Sequence, residues 1–257
     1  MSVLSAKNIT MQFGGLTAVD KFNLNLESHE LVGLIGPNGA GKTTIFNMLT
    51  GVYVPTSGDI ILNGESIIKK STHDIVKLGA SRTFQNIRLF KDLTAIENVK
   101  IAYHNFIDYN LIQGMFRTKK FWTEEKKAQD ECMKLLEIFN MGGYANTLAK
   151  NLPYGQQRRL EIARALASEP KVLMLDEPAA GMNPNETAEL METIHFIREK
   201  FDITILLIEH DMKLVMGVCE RIIVVDYGKV IAEGTPTQIK NNPKVIEAYL
   251  GEEVADA

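Results

Sequence analysis

The chain of 257 residues has only two cysteines, Cys132 and Cys219, far apart in sequence. No paired spacing is present, so neither a disulfide framework nor a thiolate metal site is expected. Both thiols read as core filler in a reducing compartment. Basic residues are not in excess: 28 Lys and Arg against 32 Asp and Glu leave a net charge of −4. That argues against a partner recognised through nucleic-acid phosphates. Long apolar runs are lacking as well. Ile203–Ile208 is typical of the longest, far short of the roughly 18 residues of a membrane span. Met1–Asn8 has no signal-peptide core, and no repeat or low-complexity tract is visible. What remains, 45% hydrophobic and 23% charged, is the composition of a soluble protein. The length suits one large α/β domain or a core with a subdomain.

Against these absences stands Gly36-Pro37-Asn38-Gly39-Ala40-Gly41-Lys42-Thr43, which reads G-x-x-x-x-G-K-T. Glu30–Ile35 before it reads as a short buried strand, and Thr44–Thr50 after it as a helix that Gly51 can end. Strand, glycine loop and helix form the context of a triphosphate-binding loop. Its glycines let successive N–H groups turn inward to phosphate oxygens, and the helix dipole adds to that field. Lys42 is placed to reach the β- and γ-phosphates, and the Thr43 hydroxyl to ligate Mg²⁺.

The rest of the chain has two characters. Residues 1–28 alternate apolar and polar, with a turn at Gly14-Gly15, and Asn63-Gly64 signals a second hairpin after Asp59–Leu62. Residues 86–150 hold few β-rich runs. Ala128, Cys132, Leu135, Leu136 and Phe139 follow helical spacing over Glu124–Phe139, a helix that Gly142-Gly143 is expected to end. From Gln157 onward helices and strands alternate: helices over Gln157–Ser168, Asn185–Lys200 and Asp211–Val218, and strands over Lys171–Asp176, Thr204–Ile208, Ile222–Val225 and Val230–Ala232. That pattern implies an α/β fold with a mostly parallel sheet covered on both faces. Residues 252–257 read as a frayed acidic tail.

Val172–Leu175 is an apolar strand ending in Asp176-Glu177, which would present two carboxylates at the carboxyl edge of the sheet. Asp176 suits Mg²⁺ and Glu177 suits an attacking water. Ile208-Glu209-His210-Asp211 repeats the pattern on the next strand and brings His210 toward the same edge. The other histidines, His29, His73, His104 and His195, read as surface residues. Arg117, Lys119, Lys120, Lys126 and Lys127 cluster beside Phe116, Phe121 and Trp122. This is either a solvated face with a buried aromatic anchor or a face toward an anionic membrane leaflet or a permease.

The loop, Asp176-Glu177 and His210 resemble the ATP-binding subunit of ABC transporters. Leu152-Pro153-Tyr154-Gly155-Gln156-Gln157-Arg158 resembles the signature of that family, usually Leu-Ser-Gly-Gly-Gln, and Arg82-Thr83-Phe84-Gln85 its Q-loop. The resemblance spans essentially the whole chain. It is closest to the branched-chain amino acid (LivG-type) importer group, through Phe121-Trp122, Ala180–Pro184 and Ile246–Gly251.

The resemblance implies a P-loop core with an antiparallel β-subdomain over residues 1–85 and 151–257, and an inserted helical subdomain over about 86–165. It implies ATP contacts at Phe13, Val19, Asn38, Gly39, Gly41, Lys42, Thr43, Thr44, Gln85, Gly155 and Gln156, with Phe13 stacked on adenine and Val19 padding the ring. Mg²⁺ would be held by Thr43, Gln85 and Asp176, and Glu177 and His210 would be catalytic. It further implies a second ATPase subunit whose signature helix completes each site, two membrane permeases that dock near Gln85–Phe90, a solute-binding protein, and a place on the cytoplasmic face of the membrane. An ATPase of the same shape serving lipid or lipopolysaccharide export is the alternative; a nucleic-acid clamp would carry two cassettes or a long coiled coil. Three positions depart from the pattern: Pro153 stands at the usual Ser, Tyr154 at the usual first Gly, and Asn183 at the usual Asp of the dimer-contact loop. A weaker trans half-site is expected from the loss of the Ser hydroxyl and backbone N–H.

Overall fold

The computed structural model describes residues 2–255, with side chains for residues 2–249. It divides into two compact units, Met1–Gln85 with Lys171–Ala257, and Asn86–Pro170.

Among the described residues the first unit carries ten strands: β1 (Ser2–Phe13), β2 (Leu16–Glu27), β3 (Leu31–Ile35), β4 (Ser57–Leu62), β5 (Glu65–Ser66), β6 (Ala80–Arg82), β7 (Val172–Asp176), β8 (Thr204–Ile208), β9 (Arg221–Asp226) and β10 (Lys229–Gly234). Its first two helices are α1 (Lys42–Leu49) and α2 (Thr72–Lys77). One sheet runs β2-β1-β4-β5 and is antiparallel, with the expected turns at Gly14-Gly15 and Asn63-Gly64. The other runs β10-β9-β3-β8-β7-β6 and is parallel except where β10 pairs β9. Composition explains the difference. Every residue of β3, β7 and β8 is buried, as a two-faced parallel sheet requires. By contrast, β2 alternates buried and exposed positions along its second half. Ile45 and Phe46 of α1 share one apolar cluster with Leu4 and Ile60 of the first sheet and Leu34 and Ile208 of the second. That cluster fixes α1 behind the end of β3. Cys132 and Cys219 are both free and buried, and burial pushes each thiol up to about 12, in keeping with core filler.

The second unit is helical: α3 (Ala95–Tyr103), α4 (Leu111–Met115), α5 (Lys119–Ile138) and α6 (Tyr154–Leu166), linked by short 3₁₀ turns. The apolar stripe of α5 is buried at Ala128, Cys132, Leu135 and Leu136 as its spacing requires. Its stop signal differs from expectation. The helix runs to Ile138, one residue short of the expected Phe139, and starts at Lys119 rather than Glu124; the stop comes from Asn140, with a left-handed φ of 56°, and not from Gly142-Gly143. The Asn140 and Met141 N–H groups bond back to Glu137 and Leu136 in a Schellman closure, with Asn in the place of the usual glycine. Gly142–Tyr144 is a 3₁₀ turn. Helix α6 starts three residues before the expected Gln157, on Pro153, whose ring holds φ at −55°. Phe121 stacks edge-on between Tyr109 and Trp122, at 5.0 and 5.2 Å, while Phe116 and Trp122 stay exposed.

The first unit is completed by α7 (Pro184–Phe201), α8 (Met212–Val218), α9 (Pro236–Lys240) and α10 (Pro243–Ala255). Helix α10 continues to Ala255 through most of the segment expected to fray; residues 256 and 257 lie outside the described ones. No helix among the described residues is long and apolar enough to cross a membrane.

Candidate nucleotide-binding and hydrolytic site

The glycine loop leaves the carboxyl end of β3, between its parallel neighbours β8 and β9. A side chain is impossible at Gly36: φ is 151°, and a Cβ there would lie 1.9 Å from the Val225 carbonyl oxygen of β9. Gly41 caps α1 in a left-handed conformation, so no side chain caps the first turn of α1. The orphan N–H groups there form a ready anion site. Lys42 is buried, and its Nζ donates to the carbonyls of Gly36 and Pro37, the latter at 2.8 Å. Its charge therefore sits inside the curl. Asn38, Gly39 and Thr43 are exposed along the loop, and Thr44 is half-buried.

The β9–β10 turn supports this loop from outside. The Gly228 N–H donates to the Ala40 carbonyl (3.0 Å), and the Asp20 N–H donates to the Gly228 carbonyl (2.9 Å). Tyr227 and Gly228 both have positive φ, 42° and 75°, as a tight type I′ hairpin turn requires. A Cβ on Gly228 would approach the Ala18 carbonyl oxygen to 2.5 Å. We therefore expect Gly228→Ala to destabilise the chain by about 2 kcal/mol or more and to weaken ATP binding with it. Urea unfolding midpoints with and without ATP measure both effects; an unchanged midpoint would contradict this packing.

Strands β7 and β8 are parallel, with Asp176 opposite Ile208, so the residues that follow each strand emerge at one edge. Glu177 adopts a left-handed φ of 46°, which costs a non-glycine residue about 1–3 kcal/mol. The Glu177 N–H bond to the Ile208 carbonyl, 2.9 Å, holds it there. This geometry brings three expected residues together. Glu177 Oε2 accepts from Gln85 Nε2 at 2.6 Å and lies 3.6 Å from His210 Nδ1. The Glu177 side chain is largely shielded and His210 is open to solvent. The remaining four histidines are all exposed, as read from sequence. Asp176 is buried beside them in an ion pair with Arg82 at 2.5 Å. Arg82 also donates to Asn47 Oδ1 at 2.7 Å and packs its guanidinium over the rings of Phe46 and Phe84.

Other expected residues are placed differently. Phe13 is 44% exposed at the end of β1 and meets Tyr53 edge-on at 5.5 Å, which leaves ring surface for a planar base. Val19 is a correction: it is 0% exposed within the core cluster and offers no surface to a nucleotide ring. Its methyl lies against the position a Gly41 Cβ would take, so it packs beneath the loop. Gly155 and Gln156 belong to the helical unit, on the first turn of α6, whose N-cap Pro153 provides no side-chain hydrogen bond. Asn183 spends its Oδ1 locally, accepting from Asn185 and Glu186 N–H at 3.0 and 3.1 Å in the capping box of α7.

Two charged groups of this region carry no role in the sequence reading. One is Arg82, paired with Asp176. The other is Glu209, whose carboxyl burial pushes up from its ordinary range while three backbone N–H groups pull it part of the way back.

Similarity to known proteins agrees with this geometry. The family described as "ABC transporter" matches residues 19–180, and "Branched-chain amino acid ATP-binding cassette transporter" matches residues 229–255. The high-affinity branched-chain amino acid transport ATP-binding protein BraF of Pseudomonas aeruginosa is 51% identical over 97% of this chain and 98% of its own length. LivG of Escherichia coli, of the same description, matches to the same extent. Among solved structures, the ADP conformation of an ATP-binding cassette of an ABC transporter superposes with a TM-score of 0.84 at 29% identity, covering 98% of this chain and 99% of that one. A glycine loop over a buried lysine, a carboxylate pair at the sheet edge and a histidine beside it, in a chain that matches the family from loop to carboxylates, place this protein in the ABC transporter family as an ATP-binding, ATP-hydrolysing subunit.

Proposed function

We propose that this subunit drives the import of branched-chain amino acids through two membrane permeases. The assignment of the solute rests on the C-terminal match and on the 51% relatives. A lipopolysaccharide export protein, LptB of Haemophilus influenzae, is 34% identical. The observation that carries the chemistry is the meeting of Gln85, Glu177 and His210 at one carboxylate oxygen.

Thr43, Gln85 and Asp176 would hold Mg²⁺ through a hydroxyl, an amide oxygen and a carboxylate, donors suited to a hard cation; to do so the Asp176 carboxylate would share or exchange its ion pair with Arg82. No group of three or more His, Cys, Asp or Glu that could hold a metal ion occurs among the described residues, so the ion would depend on the hydroxyl and amide oxygens as well as the carboxylate. When bound, Mg²⁺ neutralises charge on the β- and γ-phosphates. The rest of the work belongs to the chain. The loop N–H groups and Lys42 hold the phosphates. Glu177 orients a water and takes its proton, Gln85 fixes the Glu177 carboxylate by its 2.6 Å bond, and His210 steadies the water or the γ-phosphate. Phe13 receives the base.

The second half-site comes from the Gly155-Gln156 turn of a partner ATPase, whose α6 N-terminus faces the γ-phosphate. A heterodimer with a related ATPase is the arrangement this reading favours. The working location is the cytoplasmic face of the membrane, reached through the permeases at residues 85–90. The exposed Phe116, Trp122 and neighbouring Arg117, Lys119, Lys126 and Lys127 turn toward permease or leaflet.

The test is reconstitution with two membrane permeases and a partner ATPase of this transporter class, assaying ATP-dependent uptake of radiolabelled leucine. ATP hydrolysis without uptake of any branched-chain amino acid would overturn the solute assignment. Pro153→Ser with Tyr154→Gly restores a hydroxyl and flexibility at the trans contact. We expect it to raise the ATPase rate of the assembled transporter by about threefold or more, the worth of one hydrogen bond. An unchanged rate would show that Gly155 and Gln156 already suffice.

A further inference from the structure

The loop after β7 and the loop after β8 each lead into a helix capped by the residue just before it: Asn183 for α7 and Asp211 for α8. A carboxylate with no place in the chemistry above connects the two loops. Glu209 is 1% exposed. Its Oε1 accepts from the Ala179 N–H at 2.7 Å; its Oε2 accepts from the His210 and Asp211 N–H groups at 3.1 and 3.3 Å. His210 Nδ1 is 3.9 Å from the same Oε2.

One side chain thus staples the backbone two residues past Glu177 to the backbone of His210. A buried carboxylate is costly unless hydrogen-bonded, and here backbone dipoles from two loops meet that need. Neither loop can move alone without leaving an oxygen of Glu209 unsatisfied, a penalty of about 1–3 kcal/mol or more for a charged group. The segment from Ala179 to Asn183 continues directly into α7. Its internal turn, Met182 N–H to Ala179 carbonyl at 3.0 Å, hangs from the residue that Glu209 holds.

We infer that Glu209 is a positioning residue for hydrolysis: it sets the spacing of Glu177 and His210 and makes the Ala179–Asn183 loop and His210 move as one body. This rests on the roles proposed above for Glu177 and His210. Glu209 touches neither nucleotide nor water in this account; it acts through the two loops. Any displacement of the Ala179–Asn183 loop by a partner subunit is passed to His210 through a rigid carboxylate rather than through a flexible chain.

The test uses Glu209→Gln and Glu209→Asp in the full chain assembled with its transporter partners. Gln keeps the shape but replaces one acceptor oxygen with an amide that faces backbone donors. Asp keeps the charge but is one methylene too short to bridge both loops. Each is expected to lower kcat about 10- to 100-fold, the usual cost of an orienting partner, with KM for ATP near the parent value and a lower thermal midpoint from the lost buried bonds. In a His210→Ala background, single-turnover measurements should show each costing less than about twofold, since residues acting as a unit are not additive. Parent-like kcat in either variant would overturn the inference. So would a full further loss in the His210→Ala background, or a kcat loss matched by an equal weakening of KM for ATP, which would mark a merely structural role. If Glu209→Gln fails to fold, Glu209→Asp carries the comparison. Should His210→Ala alone hydrolyse ATP at the parent rate, the proposed role of His210 fails, and that result is read separately from the Glu209 variants.

Discussion

Glu177→Gln will lower the ATP hydrolysis rate by about 10²- to 10⁴-fold, the range removed with a general base, and leave nucleotide binding in place. The substitution is nearly isosteric. Its carbonyl oxygen can still accept the 2.6 Å bond from Gln85, and its backbone bond to Ile208 is untouched. The left-handed φ of 46° costs Gln and Glu alike, so folding stability should change little. What disappears is the carboxylate placed at this edge to take a proton from water. Asp176 is committed to an ion pair with Arg82 and is buried; His210 is within reach of Glu177 but largely solvated. Removing one negative charge beside a triphosphate also lessens repulsion. The variant should therefore bind ATP at least as tightly as the parent and accumulate as a closed ATP-bound pair. Single-turnover hydrolysis and size-exclusion chromatography with Mg-ATP measure the two effects. A variant that hydrolyses at the parent rate would remove Glu177 from its role and shift the search to His210.

The parts of this site that were legible in sequence were those specified by neighbours along the chain. The loop from Gly36 to Thr43 declares itself because each residue serves the next few atoms of backbone. Asp176-Glu177 and His210 declare themselves because an apolar run sets a strand and the residue past its end falls at the edge. Parallel pairing of β7 with β8 then brings Glu177 and His210 together. The parts that were not legible depend on partners distant in sequence. Arg82 and Asp176 meet across the β6–β7 pairing, and nothing around either residue signals the ion pair. Glu209 reads as a polar residue at a strand end until the fold brings Ala179 against it. Val19 belongs to an alternating strand, and which face of such a strand meets the core is set by its partners. The closing residue of α5 is hidden for a local reason: an Asn in left-handed conformation closes the helix ahead of the glycines that usually do so.

Lys42→Ala will abolish detectable ATP binding at micromolar concentrations. In the structure Lys42 is 8% exposed and donates to two carbonyls of its own loop, Gly36 and Pro37. Those bonds anchor the ammonium where the loop N–H groups converge, so the charge needs little reorganisation to meet a phosphate. Two charge-assisted bonds to phosphate are together worth about 3–6 kcal/mol, or about 10²- to 10⁴-fold in affinity. Alanine removes this attraction and leaves two carbonyl oxygens facing the phosphates, an added repulsion. Lys42→Arg tests whether charge alone is enough. A planar guanidinium is larger than an ammonium and cannot turn its donors toward both carbonyls from the same stem, so this variant should lose most of the affinity as well. Calorimetric titration with a non-hydrolysable ATP analogue reports both variants, and circular dichroism checks that each is folded. If Lys42→Ala binds within about threefold of the parent, the glycine-loop N–H groups and the α1 dipole supply the phosphate site by themselves, and the buried lysine serves the loop rather than the ligand.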